Sequence, residues 1–168
     1  MWSNTPKIAV KLRRICGAVL LLLLATQTSV FAGELDGKVF KGLIGPSANP
    51  DLEDSLHFSD GHFWSDICTR CGFQPGPYQS KTTEEGTTFQ GVLQSDSRGQ
   101  FTYDGLIHPN GSIDVTIKWE RKRWYWTTRR EIAFRGQLQD AQPASALKET
   151  LAAMHRQNPN ENPLCARF

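Results

Sequence analysis

Apolar and polar residues alternate from residue 38 to residue 138, and turn-forming residues interrupt the alternation at intervals of about ten. The clearest stretch is residues 113–119, in which every second residue is apolar. Residues 68–77 are rich in glycine and proline, so an irregular loop is expected there. The pattern predicts about eight strands, within residues 39–44, 56–58, a strand that starts at 63, 78–83, 89–93, 101–107, 113–119 and 124–138.

Short connections join these predicted strands, which favours an up-and-down arrangement of sequence neighbours. Eight antiparallel strands in such a meander remove their edges by closing into a barrel, whose interior holds side chains or one small ligand. The sequence therefore predicts a mainly β protein with an eight-stranded antiparallel up-and-down barrel. An open sandwich is the alternative that the same pattern permits.

A different periodicity follows residue 138. Ser145 is a candidate N-cap, and Leu147, Leu151 and Met154 recur at helical spacing. These residues predict one C-terminal helix from about residue 145 to 157, with an apolar face that packs on the outside of the barrel. A polar tail follows, and its Cys165 is placed to fasten the helix down.

The first 32 residues have the organisation of a cleavable signal peptide. Residues 1–14 are positively charged, residues 15–25 are apolar, and Val30 and Ala32 are short residues before a cut at Gly33. An uncleaved N-terminal anchor is the alternative. We expect an exported protein, periplasmic or secreted, with no integral membrane span after cleavage. The predicted regions are a signal peptide (1–32), a barrel domain (33–140) and a helix with its tail (141–168).

The net charge of +2 is unevenly distributed. Four positive charges and no acids fall within the first 32 residues, so the remainder carries 15 − 17 = −2. Proteins that bind nucleic acid are typically basic. No nucleic-acid partner is therefore predicted.

Export would place Cys68, Cys71 and Cys165 in an oxidising compartment that favours a disulfide. The spacing leaves the pairing open, within the Cys68–Cys71 pair or from one of them to Cys165. Two other interpretations remain: a redox-active pair, or a zinc site completed by His57 and His62. The structural bridge is the preferred one, and no metal or cofactor is predicted.

The last predicted strand places Arg130 on the same face as its apolar residues, and that face should point into the barrel. A buried guanidinium must be paired, and it would grip a ligand carboxylate with two hydrogen bonds. Tyr103 would supply a second donor. A β-bulge at residues 127–128 is the alternative, because it would turn Arg130 outward. Five side chains would line the apolar part of this ligand site: Ile117, Trp119, Trp124, Trp126 and Phe134.

Residues 121–135 hold six basic residues and one acid, with aromatic residues among them. Residues 34–66, by contrast, hold seven acids and two lysines. The first and last strands of a closed meander are neighbours, so charge complementarity at the closure explains the pattern. Binding of anionic lipid headgroups or polysaccharide is the functional alternative.

The predicted barrel, following helix and tail disulfide together resemble the calycins, the lipocalin-like proteins. Short motifs also resemble a pattern in small exported bacterial proteins without assigned function. These motifs are Asp60-Gly61-His62-Phe63 with Ser65 and Cys68, Gly72-Phe73, Pro75-Gly76-Pro77-Tyr78, and Arg123-Trp124-Tyr125-Trp126 before Phe134-Arg135-Gly136. The resemblance implies a fold and an export route.

The sequence carries neither a nucleophile elbow nor a His-Glu-x-x-His zinc motif, so no catalytic residue and no enzyme activity are predicted. The leading hypothesis is an exported barrel that binds a small amphipathic or lipidic ligand. The competing hypothesis is an envelope or secreted interaction or inhibitor protein that acts through residues 68–77 and 121–123. A third is a thiol–disulfide oxidoreductase that uses Cys68 and Cys71.

Overall fold

A computed structural model describes residues 33–140, 146–156, 158–159 and 165. The predicted signal peptide (residues 1–32) lies outside the described residues. Within the described part of the chain, no helix is long and apolar enough to cross a membrane.

The fold is a closed antiparallel barrel of eight strands in sequence order. Each strand pairs with the next along the chain, and the last pairs with the first through residues 132–138. The up-and-down barrel is therefore confirmed, and the open sandwich was wrong. The strands are β1 (Val39–Pro46), β2 (Leu52–Ser59), β3 (His62–Ser65), β4 (Gly76–Thr83), β5 (Gly86–Ser95), β6 (Gly99–Ile107), β7 (Ser112–Lys122) and β8 (Thr127–Leu138). The helices are α1 (Asp66–Arg70) and α2 (Leu147–Met154).

The alternation of the sequence sets which side chains face inward. In β7 the apolar residues at 113, 115, 117 and 119 are buried, and the polar residues between them are exposed. β7 and β8 pair without a break in register from Ser112–Gln137 to Lys122–Thr127. The expected alternative of a bulge at residues 127–128 is therefore wrong, and β8 keeps one face inward along its length.

Aromatic side chains fill the centre of the barrel. The ring of Phe58 lies 5.0–6.0 Å, centroid to centroid, from the rings of Phe40, Phe63, Tyr78 and Phe89. These five residues are each at most 3% exposed. Because these rings fill the middle of the barrel, space for a ligand is left only near its ends.

One end of the barrel is closed by the segment that precedes β1. Leu35 is fully buried there, and its backbone N–H donates to the Tyr78 hydroxyl at 3.0 Å. That hydroxyl donates in turn to Asp36, whose carboxylate also accepts from the backbone N–H of Gly61. We call this the closed end, and we call the opposite end the mouth; the mouth comprises the connections at residues 47–51, 66–75, 96–98 and 123–126.

Three local predictions were wrong. α1 begins at Asp66 and extends into the expected irregular loop as far as Arg70, because the Ser65 side chain accepts from the backbone N–H of Cys68 and caps the helix. β8 begins at Thr127 rather than at residue 124. α2 is capped by Ala146 without a side-chain hydrogen bond, and Ser145 lies outside the described residues. No α2 residue is fully buried.

Candidate functional site: a pocket at the mouth of the barrel

A pocket of about 390 Å³ opens at the mouth. The ends of five strands, β1, β2, β6, β7 and β8, build it together with α1. Its apolar lining is Ile44, Pro46, Leu52, Ile67, Phe101, Trp119 and Ile132, and Gly45, Arg130 and Glu131 complete the wall. Its volume falls in the lower range of small-molecule sites, which are concave and mostly apolar, with few polar groups.

Arg130 provides the cation of this pocket. It is the register partner of Trp119, whose ring is 5% exposed and faces inward. The guanidinium carbon of Arg130 lies 5.7 Å from the centre of that ring. The inward face predicted for Arg130 is therefore confirmed, but its side chain is exposed because it lies at the mouth and not in the interior.

A buried polar network holds α1 against the barrel and so positions Ile67 in the pocket wall. Asp54, on β2, is 4% exposed. Its carboxylate accepts from the Ser65 hydroxyl at 2.6 Å and from the backbone N–H of Ile67 at 3.0 Å. Burial raises the pKa of Asp54 from 3.8 to about 6, although both hydrogen bonds act in the opposite direction.

Tyr103 does not join Arg130 in this pocket, as the sequence had suggested. It is fully buried in the interior, where its hydroxyl lies 3.3 Å from the sulfur of Cys68. Burial raises the pKa of Tyr103 well above its ordinary value. The residue fulfils the inward prediction but contributes to the core.

Ile117 and Phe134 are likewise fully buried in the interior, and they do not line the pocket. Trp124 and Trp126 were placed inward incorrectly: they are 93% and 44% exposed. Both precede β8, so the alternation that holds within the strand does not orient them. Of the predicted ligand-binding residues, the pocket contains Arg130 and Trp119.

Cys71 lies at disulfide distance from Cys165, with 5.2 Å between their Cα atoms, and the structure joins them. This settles the pairing that the sequence left open. Cys68 is a free, fully buried cysteine, and burial raises the pKa of its thiol to about 12. A redox-active pair would need a stabilised thiolate at an accessible sulfur. The Cys68–Cys71 pair does not provide that arrangement.

The alternative zinc site is not assembled either. His57 stacks on Trp64 and places its Nε2 atom 3.1 Å from a carboxylate oxygen of Asp66. His62 directs its Nδ1 atom to the backbone carbonyl of Asp60. Among the residues that the structure describes, no group of three or more histidine, cysteine or acidic side chains is placed to hold a metal ion.

The basic segment is paired differently from the expectation. Arg129 and Lys122 form ion pairs with Glu120, and Arg135 forms one with Asp114. These acids lie on β7 and not among residues 34–66. These ion pairs therefore do not show the charge complementarity that the sequence predicted between the first and last strands.

Several pocket residues were not predicted from the sequence as site residues. Ile44 and Phe101 fell within predicted strands but were not assigned to a site, because alternation does not show how far along the barrel a residue lies. Leu52 was missed because it precedes the second predicted strand, 56–58, and β2 in fact begins with it. Ile67 was missed because α1 was not predicted. Ser65 followed by Asp66 is a helix-start signal that would have found it.

Comparisons of the chain with protein-family models, with curated proteins and with solved structures gave no match. The resemblance to the calycins therefore stays a prediction.

Proposed function

We propose that the protein binds a small amphipathic ligand at the mouth of the barrel, with an anionic head on Arg130 and an apolar part in the pocket. The observation that carries the proposal is the placement of one guanidinium at the rim of a mostly apolar cavity, whose wall also includes Glu131. Apolar walls supply the driving force for binding, and a single charged donor sets the orientation. A carboxylate suits the planar fork of arginine, which donates two parallel hydrogen bonds.

The filled interior limits what such a ligand can be. Phe101 is the fully buried residue of the pocket, and Tyr103, two residues further along β6, is already part of the aromatic core. A long chain would have to displace those rings. The ligand is therefore a short-chain or compact amphiphile, and its polar end stays near water at the mouth.

Export to the periplasm or the exterior belongs to the same proposal. It is supported by the organisation of residues 1–32 and by the Cys71–Cys165 pair, since disulfides persist in oxidising compartments. Binding, and not catalysis, is proposed because the pocket presents no nucleophile with an adjacent base among its lining residues.

Titration calorimetry with decanoate and with decanol tests the proposal, because the two ligands share a chain and differ in charge. Arg130→Gln should weaken decanoate binding about tenfold and leave decanol unchanged, in line with a charge-assisted hydrogen bond. Arg129→Gln is the matched control, since its side chain is exposed on the opposite face of β8 and pairs with Glu120. Equal losses in both variants, or no decanoate binding by the unaltered protein, would overturn the proposal.

The apolar wall has its own pair of variants. Leu52→Ala should weaken both ligands, because Leu52 lines the pocket. Leu43→Ala, an exposed leucine on the outer face of β1, should weaken neither. Unchanged binding in the Leu52 variant would place the ligand elsewhere.

A further inference from the structure

Residues 123–126, which we call the aromatic loop, present three adjacent aromatic side chains to solvent. Trp124, Tyr125 and Trp126 are 93%, 60% and 44% exposed. Their rings cluster, with centroid distances of 4.5 Å between the first two and 3.9 Å between the last two. Aromatic side chains concentrated in one exposed place mark an interaction site, because single exposed apolar residues are common on protein surfaces whereas contiguous apolar patches are rare.

The loop is held in shape by the hairpin below it. Lys122 and Thr127 form the last register pair of β7 and β8. The backbone N–H of Arg123 donates to the carbonyl of Trp126 at 2.8 Å, and the Arg123 guanidinium lies 5.9 Å from the Trp126 ring centre. Such a preorganised turn loses little conformational freedom when it binds.

Positive charge surrounds the aromatic rings. Residues 120–131 carry five basic residues and two acids, so the net charge is 5 − 2 = +3. Arg129 and Lys122 both engage Glu120 and lower its pKa. Two further basic residues, Arg121 and Arg123, lie next to the aromatic rings in the sequence, and the Arg123 guanidinium is close to the Trp126 ring.

This combination has the chemistry of an anionic membrane surface. Tryptophan and tyrosine rings settle at the headgroup level of a bilayer, where one edge is apolar and the other wet. Arginine and lysine next to them are attracted to the negative surface potential of acidic lipids. A soluble polyanion would need the cations but not three exposed aromatic rings, and it would leave those rings in water.

The loop also lies close to the pocket. Lys122–Thr127 lies three residue steps along the strands from Trp119–Arg130, which corresponds to about 10 Å. A bilayer in contact with the loop would therefore face the mouth of the barrel.

We propose that the aromatic loop is a membrane-contact site that inserts Trp124, Tyr125 and Trp126 into the headgroup region of an anionic bilayer. The contact docks the mouth of the barrel at the membrane surface. The contact does not depend on the pocket ligand. In combination with the proposed function, it would let an amphiphile pass between the bilayer and the pocket.

Vesicle co-sedimentation tests the contact, with vesicles of phosphatidylglycerol and phosphatidylcholine in equal parts and with vesicles of phosphatidylcholine alone. The full chain should bind the anionic vesicles at least tenfold more tightly, and raised salt should weaken that binding. Replacing residues 124–126 by alanine should reduce the binding at least tenfold. Leu43→Ala and Lys81→Gln, exposed residues away from the loop, are the controls.

Tryptophan quenching by brominated lipid gives a second readout, which distinguishes the loop from residues 1–32. The Trp124→Phe/Trp126→Phe variant should lose most of the quenching while it keeps its affinity for vesicles. The quenching that this variant loses relative to the unaltered protein is then the quenching of the two loop tryptophans. Unchanged quenching in this variant would overturn the proposal.

Three other results would count against the membrane contact. Equal binding to both vesicle types would overturn the proposal, and so would binding that survives the triple alanine substitution in the chain from Gly33 onward. So would binding to soluble polyphosphate that depends on Arg121 and Arg123 but not on the aromatic rings, since it would identify a polyanion site. Decanoate binding needs no vesicles and uses none of the loop residues, so each proposal can fail without the other.

Discussion

The buried carboxyl of Asp54 predicts an unusual pH dependence of stability. Asp54 accepts hydrogen bonds from Ser65 and from the backbone of Ile67, yet it has almost no contact with water. Removal of the carboxylate from water therefore outweighs both hydrogen bonds and raises its pKa to about 6. Asp54→Asn is the informative change, because asparagine has nearly the same shape and cannot ionise in this range.

The sign of the effect follows from proton binding. Below pH 3.8 the Asp54 side chain is protonated in both the folded and the unfolded chain, so it contributes no pH dependence there. Between pH 3.8 and about 6 the folded chain keeps a proton that the unfolded chain has lost, so the free energy of unfolding falls as the pH rises. At about 1.4 kcal/mol per pH unit, the difference from 3.8 to about 6 amounts to about 3 kcal/mol of stability lost above pH 6.

Urea titrations from pH 4 to 7.5, followed by tryptophan fluorescence, measure this loss. Other carboxyl groups contribute to both proteins, so the quantity of interest is the difference between the unaltered protein and Asp54→Asn at each pH. Relative to Asp54→Asn, the unaltered protein should lose about 2–3 kcal/mol of stability between pH 4 and pH 7.5. Asp104→Asn, which removes an exposed carboxylate on β6, is the control and should not reproduce the step. A flat difference, or a shift of opposite sign, would refute the reasoning.

Four further predictions follow from the packing and the cysteines. Gly105→Ala should lower the free energy of unfolding by about 1–3 kcal/mol in urea, because its new Cβ would collide with the ring of Phe89; an unchanged midpoint would contradict the filled interior. Phe58→Ala should cost about 3–5 kcal/mol in the same titration, since its ring contacts four others, and a loss below about 1 kcal/mol would be inconsistent with that packing. Iodoacetamide should alkylate Cys68 only after denaturation, as mass spectrometry of its peptide would show, and rapid reaction of the folded chain would mean that the thiol is accessible. Cys71→Ser should lower stability by about 2–4 kcal/mol under non-reducing conditions, because a cross-link over 94 residues is lost; equal stability would argue against the disulfide.

The barrel could be predicted from the sequence because its strands alternate and its connections are short. In β6 and β7 every second residue is apolar, and the structure buries those residues. The ends of elements were less predictable. α1 and the start of β8 depend on local hydrogen bonds at Ser65 and at the Arg123–Trp126 turn, and an alternating pattern does not report them.

The candidate site was predictable only in part. Alternation shows whether a side chain points into the barrel, but not how far along the barrel axis it lies. The face of Arg130 was correct, since it shares the register of Trp119. Tyr103 has the same inward face but lies in the sealed interior, beside Cys68. The Cys71–Cys165 pairing could not be predicted, because it depends on where the tail returns in three dimensions.

The two ends of the barrel differ in a way that bears on both proposals. At the closed end, Leu35 and the bonds of Tyr78 seal the interior. The mouth, by contrast, collects the polar network of Asp54, the pocket with Arg130 and the aromatic loop. A rigid barrel that carries its exposed apolar and charged groups on connecting segments is the usual division between scaffold and binding surface. Substitutions in the aromatic core should therefore change stability first, whereas substitutions in the aromatic loop should change binding with little change in stability.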